Sequence, residues 1–337
     1  MRRLLALLAL LGARAAAQFS GPPLTRDPHI LSYPLLPMRA QPAPEVPLLF
    51  SDSPEVPSRS GVLYRDTVQG PARVLAYHQN GLNLPARLQV VARNPGPAPV
   101  RVTVLRRGAG VTPGPDPLVG QQTLLRYLAS RPLAARTLPP GGHLRLSDSG
   151  PLSPGALSSV LLDLTASGPL EVSVLLLGPD VARGTPIEAL PILPPDGTHQ
   201  RGTFPGADRI LEVTVDRLPA RLVFGGADDP PLTGTDALTG APQRLAGNYG
   251  VRYALSLRGS AGSTLAASPR GGAYRGVLGL QDAGRARTLL IGRGAGLTDP
   301  AQPARLWRAR GDLELLFIPA GGSNLPLALV VYPAKSH

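Results

Sequence analysis

Gly61-Val62-Leu63-Tyr64-Arg65-Asp66-Thr67-Val68-Gln69-Gly70 runs directly into Pro71-Ala72-Arg73-Val74-Leu75-Ala76-Tyr77-His78-Gln79. Each half is rich in β-branched and aromatic residues, and a Gly-Pro pair separates them. That composition between turn residues predicts two strands, Val62 to Val68 and Arg73 to Gln79. Working outward, the same pattern recurs at Arg87 to Arg93 and Val100 to Arg106, joined by the turn Asn94-Pro95-Gly96-Pro97. It returns at Thr137–Leu138, His143 to Leu146, Ser159 to Thr165 and Leu170 to Leu177. The second half adds strands near Ile210 to Val215, Arg221 to Phe224, Gly250 to Leu257, Arg287 to Ile291, Leu313 to Ile318 and Leu327 to Tyr332.

One segment breaks this rhythm. Leu118, Leu124, Leu125 and Leu128 recur at helical spacing between Pro117 and Ser130, and Pro132 ends the run. This predicts a single short helix. The chain has 39 Gly and 40 Pro, and they punctuate short apolar runs, as in sandwiches and barrels. The expected fold is all-β: two β-sandwich-like modules with one short helix and a Pro-rich extended N-terminal arm.

The N-terminus reads as a secretory leader. Met1-Arg2-Arg3 is basic, Leu4 to Gly12 is apolar, and Ala15-Ala16-Ala17 offers a cleavage site. Spanning a bilayer takes about 20 apolar residues, so this run is too short to be an anchor. The expected organisation is a signal peptide over 1–17, an extended arm over 18–57 and a β-sandwich module with one helix over 58–180. A Pro/Gly-rich connector over 181–206 and a second β module over 207–337 follow. Ten prolines between Pro22 and Pro57 remove backbone donors, so the arm is not expected to supply a helix or a central strand. Its apolar residues Ile30, Leu31, Leu35 and Leu36 favour docking over free solvation.

Composition excludes several functions. The chain has no Cys, which removes disulfides, thiolate metal sites and cysteine nucleophiles. Formal net charge is +12, and loss of Arg2, Arg3 and Arg14 with the leader leaves +9. The basic residues are scattered arginines, Lys335 being the one lysine, and aromatics are 4%. Nucleic-acid binding is therefore not expected, whereas anionic glycans, headgroups or small anions suit the charge. No G-x-S-x-G elbow is present. Gly292-Arg293-Gly294-Ala295-Gly296 lacks the βαβ context of a dinucleotide loop, and Asp228-Asp229 before Pro230 reads as a turn.

Histidine is scarce: His29, His78, His143, His199 and His337. His78 ends a strand, His143 begins one after Gly141-Gly142, and His199 lies in Gly197-Thr198-His199-Gln200-Arg201-Gly202. An exported site without thiolates would use imidazole, which suits copper or zinc. No closely spaced histidine pair accompanies them, so three unrelated histidines are the simpler reading.

Several phrases carry a resemblance. Ser53-Pro54-Glu55, Gly61-Val62-Leu63-Tyr64, Asp66-Thr67-Val68-Gln69-Gly70 and Asn80-Gly81 are among them, with Asp196-Gly197-Thr198-His199-Gln200-Arg201-Gly202-Thr203-Phe204-Pro205, Gly247-Asn248-Tyr249-Gly250 and Gly321-Gly322-Ser323-Asn324-Leu325-Pro326. Together they resemble a family of exported bacterial envelope proteins, often known through an attached copper amine oxidase-like N-terminal stalk domain. That resemblance covers about residues 50–333, and within the group the chain is also similar to a copper-only superoxide dismutase-like accessory subunit of bacterial surface-layer complexes. That resemblance implies a β-sandwich, histidine-bound copper and a place at the envelope. On it, His78, His143 and His199 would hold copper, and Arg201 would attract the superoxide anion. The close His-x-His pair of familiar copper-only dismutases is absent here, as is a stalk domain. The implied partners are cell-envelope or surface-layer proteins, or a second copy of the chain. The competing readings are a non-catalytic structural or interaction protein of the envelope, and glycan binding through Tyr249 and Trp307.

Overall fold

A computed structural model describes residues 26–182, 184–292 and 303–334. The leader expected over 1–17, the start of the arm, most of the Gly292–Gly296 turn, Lys335 and His337 lie outside the described residues. The fold is all-β, with one α-helix among the described residues. In chain order the strands begin with β1 (Arg39–Gln41), β2 (Leu48–Ser51), β3 (Gly61–Gln79), β4 (Arg87–Arg93) and β5 (Val100–Thr112). After helix α1 (Leu118–Ala129) come β6 (Arg136–Leu138), β7 (His143–Asp148), β8 (Leu157–Leu177) and β9 (Arg201–Phe204). Next are β10 (Asp208–Thr214), β11 (Ala220–Phe224), β12 (Thr233–Thr235), β13 (Pro242–Arg244), β14 (Arg252–Arg258) and β15 (Thr264–Pro269). The last are β16 (Gly276–Asp282), β17 (Arg285–Ile291), β18 (Arg305–Arg308), β19 (Leu313–Phe317) and β20 (Leu327–Tyr332). Two compact units form, one from residues 45–207 and 232–246, the other from the remainder.

The first unit is built on β3 and β8. They pair antiparallel from Gly61↔Leu176 to Gln79↔Leu157. The two expected strands on either side of Gly70-Pro71 are therefore one, and so are those on either side of Gly168-Pro169. The reason lies in the register. Val68 faces Leu170 while Gly70 faces Ala166, so residues 167–169 bulge opposite a single residue and Gly70 takes φ 74°. A proline in a bulge forfeits no ladder hydrogen bond, and the strand runs on through it. Beyond this level β8 pairs with β5 along Leu157–Ala166 and with β4 along Glu171–Leu177. The two branches enclose an apolar core that includes Val90, Val102, Leu162, Leu164, Val172 and Val174.

Helix α1 packs on the outer side of β5 and β8, which leaves the first half of β8 buried on both faces. Glycine permits that approach. A Cβ on Gly108 would lie 2.0 Å from the Thr123 carbonyl oxygen, and one on Gly110 would lie 2.3 Å from that of Val119. The helix ends are met by side chains: Asp116 accepts from Leu118 N–H, and Arg106 donates to the Leu128 and Ser130 carbonyls. Beneath the helix, Arg73 of β3 donates through Nε to Asp163 of β8 at 2.8 Å, and Tyr127 Oη donates to the same carboxylate at 2.6 Å. All three are buried.

The expectation that prolines keep residues 18–57 out of any central strand is overturned by β2. Leu48–Ser51 is the proline-free window between Pro47 and Pro54, and all four residues are buried. It pairs parallel with β3 and antiparallel with β9. β9 itself emerges from the stretch read as connector.

The second unit is a sandwich of two sheets, in the orders β1-β10-β14-β19-β16-β17 and β11-β20-β15-β18. Phe224 of one sheet meets Tyr253 and Phe317 of the other at ring separations of 5.3 and 4.6 Å. Residues 26–44 of the proline-rich segment belong to this unit. Ile30 and Leu36 are buried while Leu31 and Leu35 stay exposed. Arg221 Nε donates to the Tyr33 carbonyl at 2.7 Å, and Tyr332 Oη donates to Asp27 at 2.6 Å.

Truncating one member of a buried ion pair strands the other charge. Asp163→Ala should therefore lose about 3–5 kcal/mol in urea denaturation. Tyr127→Phe, which deletes one hydroxyl, should lose about 1–2 kcal/mol.

Candidate functional site

Two phrases singled out in the sequence, Ser53-Pro54-Glu55 and Asp196-Gly197-Thr198-His199, meet at one end of the first unit. β2 delivers Ser51 and the loop after it, β3 delivers His78, and β9 begins just beyond His199. His78 is 0% exposed. Its Nδ1 lies 2.9 Å from the Pro54 carbonyl, and its Nε2 lies 2.8 Å from Ser51 Oγ. A carbonyl can only accept, so Nδ1 carries the proton and Nε2 accepts from the Ser51 hydroxyl. Burial lowers the imidazole pKa to about 4, against the opposing pull of the Pro54 bond. The ring is thus neutral at physiological pH.

A Ser–His contact can signal an activated nucleophile. Here Ser51 is also 0% exposed, and the pair locks the end of β2 to the end of β3.

Asp196 organises the surface above it. Burial acts to raise its pKa, but the N–H groups of His199, Glu55 and Thr198 and the His199 ring hold it far below the ordinary carboxylate value. His199 N–H donates to Asp196 Oδ1 at 2.8 Å, and Glu55 N–H donates to Oδ2 at 2.9 Å. The partly exposed His199 ring lies between carboxylates, with Nδ1 2.8 Å from Asp196 and Nε2 2.9 Å from Glu55. Beside them, burial and the charges of Glu55 and Asp196 push the Asp52 carboxyl well above its usual range.

His143 is elsewhere. It sits on β7 opposite Arg93, which faces Glu171 of β8, whereas His78 faces Ser158 of β8. Thirteen residues of strand, about 40 Å of contour at roughly 3.3 Å per residue, separate those two levels. Its Nε2 lies 3.3 Å from Glu188, which also pairs with Arg93 at 3.1 Å. Among the described residues no group of three or more His, Asp or Glu is placed to hold a metal ion. Of the three histidines, His78 is sealed with both nitrogens engaged, and His143 and His199 are paired separately with carboxylates.

Arg201 is equally occupied. It is 2% exposed, pairs with Asp236 at 3.0 Å, and donates through Nη1 to the carbonyls of Leu63 and Leu193 at 2.9 and 2.6 Å. Its place in the fold is a structural pin, not an anion guide at a cleft. Trp307 is 1% exposed, which removes it as a sugar-stacking platform. Asp229 is buried too, accepting from Tyr253 Oη at 2.8 Å and from Gly225 N–H at 2.6 Å.

An open feature lies on the other side of α1. A cleft of about 490 Å³ is bordered by β5, the end of α1 and β7, and is lined by Arg107, Arg126, Arg145 and Asp148 over Leu146 and Leu162. No sequence signal marked it, because its arginines are scattered along the chain and the fold alone gathers them.

No family model matches this chain, and no curated protein does. Among solved structures, the PBSX exported protein XepA aligns at 10% identity and a TM-score of 0.19, covering 94% of this chain and 100% of that one. An 11S allergen from Cocos nucifera aligns at 11% identity and a TM-score of 0.13, covering 90% of each. Neither value supports a shared fold. No helix among the described residues is long and apolar enough to cross a membrane.

The folded-state pKa of His78 lies below its unfolded value of 6.5, so the unfolded chain takes up the proton first. This contribution to stability is intact above pH 6.5 and is lost as pH falls toward 4, with an upper magnitude of about 3 kcal/mol. Urea denaturation across that range should show the loss, and His78→Gln should flatten it.

Proposed function

We propose that this chain is an exported β-sandwich protein of the cell envelope that acts by binding and scaffolding, without catalysis. The observation that carries this reading is the internal commitment of the side chains best suited to chemistry. His78 is sealed between Ser51 and Pro54, and Arg201 is held by Asp236 and two carbonyls. A catalytic histidine or arginine needs a free face toward a substrate, and neither has one.

Export rests on the leader-like residues 1–17. Placement at the envelope, with envelope or surface-layer proteins as partners, rests on the family resemblance of the short phrases. The copper-dependent dismutase reading has only that same resemblance behind it.

Protein purified without metal-affinity resin and then incubated with copper salt should retain no stoichiometric copper and dismutate no superoxide beyond buffer controls. One copper per chain, lost in folded His78→Ala and His199→Ala variants, would replace this reading with the enzymatic one. Mass spectrometry of the protein recovered from its native cells should place the mature N-terminus at Gln18.

A further inference from the structure

The arginine-lined cleft of the first unit carries an inference of its own. Its walls are fixed by packing. The close approach at Gly108 and Gly110 seats α1 on β5, which sets Arg126 against the Ala109 carbonyl, to which it donates. The same approach brings Ser130 Oγ to the Arg107 N–H at 3.0 Å. β7 supplies Arg145 on the opposite side, and the buried Leu146 and Leu162 form the floor.

The charge in this cleft is not balanced. Arg107 is exposed, and its guanidinium has no ion-pair or hydrogen-bond partner among the described residues. Arg126 spends one donor on a neutral carbonyl and makes no ion pair among the described residues. Arg145 pairs with Asp148 at 3.3 Å, but that carboxylate is shared with Arg87 at 3.0 Å and with Gln89. Three guanidinium groups thus face one carboxylate that already serves a fourth arginine. Guanidinium is a planar fork of donors that matches phosphate and sulfate oxygens. A volume of about 490 Å³ is within the range of small-molecule sites.

We propose that this cleft binds a small anion bearing a phosphate or sulfate group, of about monosaccharide size, with Arg107 as the principal free donor and Arg126 and Arg145 flanking it. The proposal deepens the binding-protein reading above and rests on it. Its test is independent of metal, so the two can fail separately.

Isothermal titration of the full chain with glucose 6-phosphate, glucose 6-sulfate and inorganic pyrophosphate, at two salt concentrations, tests it. The expected result is saturable one-to-one binding of at least one probe, weaker at higher salt, and weakened at least tenfold in Arg107→Glu. Because Arg107 has no structural partner, that variant should keep the wild-type thermal midpoint. Arg217→Glu, at an exposed arginine paired with its neighbour Asp216, should leave binding unchanged. Binding of the phosphate probes alone or of the sulfate alone would identify the anion. No saturable binding of any probe, or equal affinity in Arg107→Glu, would overturn the proposal.

Discussion

A buried carboxylate holds the first unit together. Asp163 accepts from Arg73 on the neighbouring strand and from Tyr127 on the helix above. Arg73 in turn reaches the Ala207 carbonyl, and its own N–H donates to Pro47 at the entry of β2. One ion pair thus ties β2, β3, β8, α1 and the chain leaving β9 to one point. A buried charge costs several kcal/mol to desolvate, and the cost is recovered only when every donor and acceptor is met. The reward is positional: the helix can settle in one place on β5, where two glycines leave room for it. The arginine cleft inherits its geometry from that placement.

The same economy of satisfied polar groups explains why the residues most suggestive of chemistry are engaged inside the fold. The ends of β2, β3 and β9 coincide, and loops there must bury backbone groups that no ladder serves. His78 serves the Pro54 carbonyl, Asp196 gathers the N–H groups of Glu55, Thr198 and His199, and Arg201 collects the Leu63 and Leu193 carbonyls. Imidazole, carboxylate and guanidinium are used here as hydrogen-bonding hardware. On the cleft side the Arg107 side chain has no such employment among the described residues, and Arg126 spends one donor on the Ala109 carbonyl.

Much of the fold was legible in sequence, and the failures have physical causes. Leu118, Leu124, Leu125 and Leu128 marked the helix because a Pro-bounded run at helical spacing has few other solutions. Most strands were found where β-branched residues clustered. Gly70-Pro71 and Gly168-Pro169 misled because a bulge hides in sequence as a turn; only the pairing of β3 with β8 reveals that both breaks fall at one level. β15 (Thr264–Pro269) and β16 (Gly276–Asp282) were missed because Ala, Ser and Gly carry weak strand preference, and their sheet neighbours supply what the residues lack. At the site, the short phrases around Ser53 and Asp196 did converge in space. Their burial was not legible there, because spacing says nothing of burial. The partners of Arg73 and Arg201, Asp163 and Asp236, stand 90 and 35 residues away, beyond the reach of any local pattern.

The central claim is that the histidines are structural, and histidine-selective nitrogen NMR reads it directly. His78 should appear as the Nδ1-protonated neutral tautomer at neutral pH and remain so until pH approaches about 4, with its signals unmoved by added copper. Joint paramagnetic loss of the His78 and His199 signals at one equivalent of copper, or a His78 ring protonated near neutral pH, would contradict it.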